Sequence, residues 1–158
     1  MEQVIERVLN SMQLSFIKKS EDQIQSHFFY MDLKSTSIRV AISVNYEIME
    51  SLVFFTIPTG IKNSSLTNIS ELFHRINFDD LKGAFVIDHN ELIMGYHTGF
   101  YFYELNADEF KLQLDYYLTH AYQHVEYYLD AILECNFGEH SPSYILNKLE
   151  LNTDPNLN

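Results

Sequence analysis

The chain is poor in residues that interrupt or cross-link a fold. Its 158 residues include one cysteine, three prolines, five glycines and no tryptophan. The single thiol, Cys135, excludes an internal disulfide and suits a reducing cytosol. Near the end of a helical run it reads as a small hydrophobe rather than a nucleophile. Sparse Pro and Gly with 46 % hydrophobic residues describe a globular chain, not a disordered one. The glycines stand apart at 60, 83, 95, 99 and 138, so no Gly-rich loop can cradle a phosphate. Neither a Gly-x-Ser-x-Gly elbow nor a Cys-x-x-Cys pair is present. No stretch approaches the roughly 18 uninterrupted apolar residues that span a bilayer. Glu2 and Glu6 beside a lone Arg7 do not make a secretory leader.

Cations are also scarce. The formal net charge is −12, and of the ten Lys/Arg only Lys111 and Lys148 fall after residue 82. A field of that sign repels nucleic-acid phosphates and anionic membrane surfaces, so neither is an expected partner. It is compatible with a basic protein or peptide, and it also serves solubility.

The length fits one domain with a self-sufficient core. Val4, Ile5, Val8, Leu9 and Met12 recur at helical spacing and predict a helix over 2–12. The polar run 18–23 reads as a loop. Three strands follow at 27–33, 37–45 and 51–57. The middle one alternates Ile38, Val40, Ile42 and Val44 with Arg39, Ala41, Ser43 and Asn45. Residues 58–65 read as a loop. Asn68 with Glu71 has the spacing of a capping box and predicts the start of a second helix. A hairpin with strands 84–87 and 92–96 should turn at His89-Asn90. Asn106 with Glu109 repeats the capping signature and opens the longest helix, to about 134, before Gly138 and Pro142. The expected fold class is α+β: two layers, an antiparallel sheet with helices packed on one face, in the order α-β-β-β-α-β-β-α. Residues 1–140 form the single domain, and 141–158 a partly flexible tail.

Leu72-Phe-His-Arg-Ile-Asn-Phe78, then Gly83-Ala-Phe-Val-Ile-Asp88 and Glu91-Leu-Ile-Met94, make a helix end, a short link and a hairpin. In this order and content the chain resembles the YbjN-like family, whose fold is shared with type III secretion chaperones. The resemblance implies a small acidic cytosolic protein that binds other proteins. Chaperones of this fold dimerise and hold an extended client segment along apolar patches; the YbjN branch is described as sensory or stress-related. No catalytic residue is carried over from the family. Gly95 departs from the pattern, because such strands often carry a larger residue there.

Candidate chemistry is thin. His120 and His124 stand at i, i+4 on the long helix, a spacing that can seed a metal site. Ala121 occupies the place of the Glu in a His-Glu-x-x-His motif, and a third ligand must come from elsewhere, with His97 or His89 conceivable. The preferred reading is two solvated or edge histidines on an acidic helix, with no metal ligand and no cofactor assigned. The paired acids Asp79-Asp80 and Asp108-Glu109 suit caps and solubility better than acid–base work.

Aromatics are the stronger signal, since residues 96–128 hold eleven Phe/Tyr. Rings offer large contact area at low entropy cost. The candidate protein-contact residues are Phe28, Tyr30, Val53, Phe55, Phe100, Tyr101, Phe102, Tyr103, Tyr116 and Tyr127. If 100–103 is extended, alternation turns two of its four rings outward. The expected function is a noncatalytic, cytoplasmic, homodimeric protein-binding module that holds a basic or amphipathic client on apolar sheet and helix surface. The alternative is a sensory or regulatory domain that binds a small ligand or ion.

Overall fold

The computed structural model describes residues 1–80 and 82–153. The elements are α1 (Glu2–Ser11), β1 (Phe16–Glu21), β2 (Ile24–Asp32), β3 (Ser37–Asn45), β4 (Glu50–Gly60), a 3-10 turn (Asn63–Ser65), α2 (Leu66–Asp79), β5 (Gly83–Asp88), β6 (Ile93–Tyr101), α3 (Ala107–Phe137) and α4 (Pro142–Thr153). The strands form one fully antiparallel sheet in the order β1-β2-β3-β4-β6-β5. β1 to β4 are a meander. α2 then carries the chain to the far edge, and β6 returns between β4 and β5.

Alternation sorts each strand onto two faces. Phe29, Val40, Ile42, Val53, Phe55, Met94 and Tyr96 are buried on one face. Over them lie the apolar stripes of α1 (Val4, Ile5, Val8, Leu9) and α3 (Phe110, Leu114, Leu118, Val125, Leu129, Ile132). Each such fully buried side chain contributes about 1.5–3 kcal/mol. The other face carries Phe28, Tyr30, Arg39, Ala41, Leu52, Phe54, Gly95, His97 and Tyr101, and among the described residues no helix covers it. The α+β class, the antiparallel sheet and the one-sided helical layer are therefore as the sequence predicts.

Four boundaries differ. The 18–23 run is not a loop: residues 16–21 form β1, and only Asp22-Gln23 turns. An edge strand wetted on both faces shows no alternation to read. β4 runs through Pro58 to Gly60, with an irregular register between Thr56 and Gly60 that accommodates the proline. Asn68 lies inside α2, which starts at Leu66 with no side-chain cap, because the 3-10 turn leads into it two residues earlier. The second hairpin turns over four residues, 89–92, rather than two. Asp88 Oδ1 accepts from the N–H groups of Asn90 and Glu91, and Leu92 takes the left-handed conformation (φ 52°). The β3–β4 turn repeats this device, with Asn45 Oδ1 accepting from Glu47 and Ile48 and with Met49 at φ 54°.

The α3 capping box forms as expected. Asn106 accepts from Asp108 and Glu109, and the Glu109 carboxylate accepts from the Asn106 N–H. Residues 142–153 are helical, and α4 seats Ile145 in the common core. Residues 154–158, the remainder of the expected tail, lie outside the described residues. Cys135 is buried at the end of α3, and burial pushes its thiol up to about 11.

Candidate functional site

Two regions have functional character, the open sheet face and a polar cluster under the helices. On the open face, Tyr30 is 66 % and Tyr101 64 % exposed, with Ile17 and Leu52 also exposed. A groove of about 770 Å³ runs across its strands, lined by Phe28, Arg39, Phe54, Val86, Asp88 and Ile93. An adjoining cavity of about 410 Å³ sits toward β1, between Ile17, Phe28 and Tyr30. Gly95 explains part of this relief. A Cβ there would overlap the Phe54 ring and come within 2.9 Å of the Phe55 carbonyl. The bare backbone lets Phe54 lie across β6 as part of the groove floor. Arg39 stacks over Phe28 at 5.0 Å, and Lys19 stands over the same ring at 5.9 Å.

The ten aromatic and aliphatic candidates separate into three sets. Phe28, Tyr30 and Tyr101 lie on the open face, and Tyr103 is exposed just beyond it. Val53, Phe55, Phe100 and Phe102 belong to the core and offer no surface: strand parity turns the first three toward the helices, and Phe102, just past β6, packs against Phe110 of α3. Tyr116 and Tyr127 are exposed on α3, in the helical layer. At 100–103 the rings alternate, Phe100 and Phe102 inward, Tyr101 and Tyr103 outward. Leu52 and Phe54, the open-face neighbours of Val53 and Phe55, were not among the candidates. The apolar run 51–57 gives no parity of its own, so the face each residue takes is set only by pairing with β3 and β6.

The polar cluster is centred on Asp80, at the C-terminal end of α2. Its side chain is 5 % exposed. The Tyr96 hydroxyl donates to Asp80 Oδ2 at 2.6 Å, and the Lys82 N–H to Oδ1 at 2.9 Å. His120 Nε2 lies 3.6 Å from Oδ1 and His124 Nε2 3.3 Å from Oδ2. Tyr96 is also 3.3 Å from His120 Nε2. Phe85 stacks on His124, Tyr128 meets its edge, and Tyr116 lies parallel to His120. Lys82 stands over the Tyr116 ring at 4.8 Å.

Electrostatics follow from this packing. Burial alone would raise the Asp80 carboxyl, but the hydrogen bonds from Tyr96 and Lys82, aided by the histidines, hold it below the usual range. Burial pushes His124 down, only partly offset by Asp80. Burial and the Asp80 carboxylate together push the Tyr96 hydroxyl far up, so it stays a donor. The third polar partner of the two helix histidines is thus Asp80, not His97 or His89. His97 points from the open face, and His89 sits exposed in the hairpin turn. The sequence pairs Asp79-Asp80 and His120/His124 were visible, but forty residues separate them, and they meet only after the β5–β6 hairpin returns the chain into α3.

The segment 68–97 gains its physical meaning here as well. The Asn77 side chain reaches from α2 to the outer edge of β5. It accepts from the Phe85 N–H at 2.7 Å and donates to the Phe85 carbonyl at 2.8 Å. One amide takes the place of a neighbouring strand, and the helix end is thereby fixed against the sheet.

No protein-family model matches the chain, and no curated protein matches it in sequence. Among solved structures, YbjN from E. coli, put forward as a transcription regulator, superposes with a TM-score of 0.54. The match covers 80 % of this chain and 87 % of that one at 10 % identity. The fold is YbjN-like. The YbjN likeness covers architecture and leaves the residues of both regions to this chain. Among the described residues no helix is long and apolar enough to cross a membrane.

Proposed function

We propose that the chain is a noncatalytic, cytoplasmic protein-binding module, homodimeric, that holds an apolar or amphipathic client segment on its open sheet face. The observation that carries this reading is the open sheet face, where Ile17, Tyr30, Leu52 and Tyr101 stand in solvent beside a groove. Exposed apolar area of this kind, rimmed by polar groups, is what interaction sites present. The acidic residues of α3 lie in the other layer, where they favour basic flanks of a client and keep a complex soluble. YbjN was put forward as a regulator of transcription. With a charge of −12, a regulatory role for this chain would run through protein contacts rather than DNA backbone.

The test is site-specific photo-cross-linking to extended amphipathic peptides with basic flanks, alongside light scattering. A probe at Leu52 captures peptide and one at Gln123, exposed on α3, does not. Tyr30→Glu with Leu52→Glu abolishes capture at an unchanged melting temperature, and the mass corresponds to two copies of 18.6 kDa. Equal labelling at both probes, or a monomer that takes no peptide, refutes the proposal. A second reading, an ion-responsive regulatory domain, is favoured by the Asp80–His120–His124 geometry.

A further inference from the structure

We infer that Asp80, His120 and His124 form a binding site for one divalent transition-metal ion, of which zinc is the best fit. The argument begins with spacing. Residues four apart on a helix share a face, so α3 presents both imidazoles in the same direction, toward the end of α2. One ligand atom from each of the three residues lies within 4.8 Å of the others. Ligands bonded at roughly 2.1 Å around a tetrahedral ion stand about 3.4 Å apart. The 3.6 Å separation runs from His120 Nε2 to Oδ1 and the 3.3 Å separation from His124 Nε2 to Oδ2. The three side chains thus stand near coordination spacing, and side-chain rotations that bring both imidazoles onto one ion beside the carboxylate would complete the shell.

Donor chemistry selects the ion. Two imidazoles and one carboxylate suit zinc and its neighbours, whereas calcium and magnesium prefer all-oxygen shells. Three protein ligands leave a fourth position for water, and the His120 side chain, 23 % exposed, marks the route by which it would enter.

A second observation points the same way. His124 Nε2 is buried and, among the described residues, makes no hydrogen bond, although it faces the Asp80 carboxylate. Buried polar nitrogens are ordinarily satisfied, and a metal ion would satisfy this one. The surroundings also match what metal ligands require. Ligating carboxylates are held by outer hydrogen bonds, and Asp80 has two, from Tyr96 and from Lys82. Phe85, Tyr128 and Tyr116 wall the imidazoles and fix their planes. An ion here would tie the end of α2 to the middle of α3 and, through Tyr96, to β6. The inference is independent of the open-face reading, since the two regions occupy opposite sides of the sheet.

The experiment uses the untagged full chain, stripped with a chelator and titrated with Co(II) and then Zn(II). The wild-type chain should take up one equivalent of Co(II) with the visible absorption of a tetrahedral site, which Zn(II) displaces, and its melting temperature should rise with either ion. His120→Ala and His124→Ala should each weaken binding by more than about tenfold, and Tyr96→Phe by about tenfold through loss of the bond that orients Asp80. His120→Asp should restore part of the affinity that His120→Ala loses, because Asp supplies a ligand where Ala does not; a merely structural role would not show this. His140→Ala, outside the site, should bind like wild type. A wild-type chain that gives no tetrahedral absorption at saturating Co(II), or absorption that survives the His120→Ala/His124→Ala double substitution, overturns the inference.

Discussion

At the scale of single residues, His27 is the most consequential polar side chain away from the Asp80 cluster. It is fully buried on β2, beneath α1, and among the described residues neither ring nitrogen has a hydrogen-bond partner. Burial pushes its titration below the ordinary 6.5, and Glu6, with Oε1 3.9 Å from Nε2, only partly offsets this. The folded state therefore holds His27 neutral where the unfolded chain already binds a proton. The unfolded state takes up more protons as pH falls below the ordinary value, so stability is lost in that direction until the folded histidine itself titrates. His27→Leu removes the effect. Denaturant melts between about pH 7 and pH 5 should show the wild type losing stability relative to the variant, by at most about 1.4 kcal/mol per pH unit. At neutral pH the variant should be as stable as wild type or more so, since it removes two unsatisfied buried nitrogens. Parallel curves for the two proteins would contradict this account.

At the scale of elements, the connection between β4 and α2 is held by one residue of α3. Asn136 is 1 % exposed. Its amide donates to the Gly60 carbonyl at 2.8 Å, its Oδ1 accepts from the Lys62 N–H at 3.0 Å, and its backbone carbonyl accepts from Ser65 Oγ at 2.8 Å. Asn136→Ala should cost roughly 2–3 kcal/mol, because it strands backbone groups that the fold buries, and hydrogen exchange should quicken first at residues 60–65. Exchange that quickens evenly across the sheet would mean Asn136 is only a packing residue. This clamp also shows what the sequence could and could not disclose. Helices with a wide apolar stripe, β3 with its strict alternation and the Asn106–Glu109 cap were all legible, because their signals are local. The start of α2 was not, since its position depends on a 3-10 turn tied by Ser65 to a residue 71 positions away. The hairpin turns were half legible. Asn45 and Asp88 announce them, but the residues that adopt positive φ, Met49 and Leu92, carry no turn signature.

At the scale of the whole molecule, the two layers divide the chemistry. His120, His124, Asp80 and most of the acidity of the second half lie with the helices, and the other sheet surface carries exposed rings and aliphatic side chains beside Arg39 and His97. Parity decided this division. Tyr30 and Tyr101 against Phe55 and Phe100 could be separated only once pairing fixed the register, which no single strand encodes.

The Asn77 amide on Phe85 has a consequence for how copies of this chain can meet. A sheet adds strands only where an edge offers unpaired N–H and C=O groups. β5 is stoppered at Phe85, while β1 terminates the opposite side and carries Lys18 and Lys19. Two copies joined through β1 would close on a twofold axis and leave only stoppered ends, so growth stops at two; unblocking β5 supplies the second growing end that a filament needs. Asn77→Ala should accordingly shift the chain from discrete species toward concentration-dependent, thioflavin-positive polymers at temperatures well below unfolding. If the variant stays as monodisperse as wild type at equal concentration, the amide is a local brace and does not govern association.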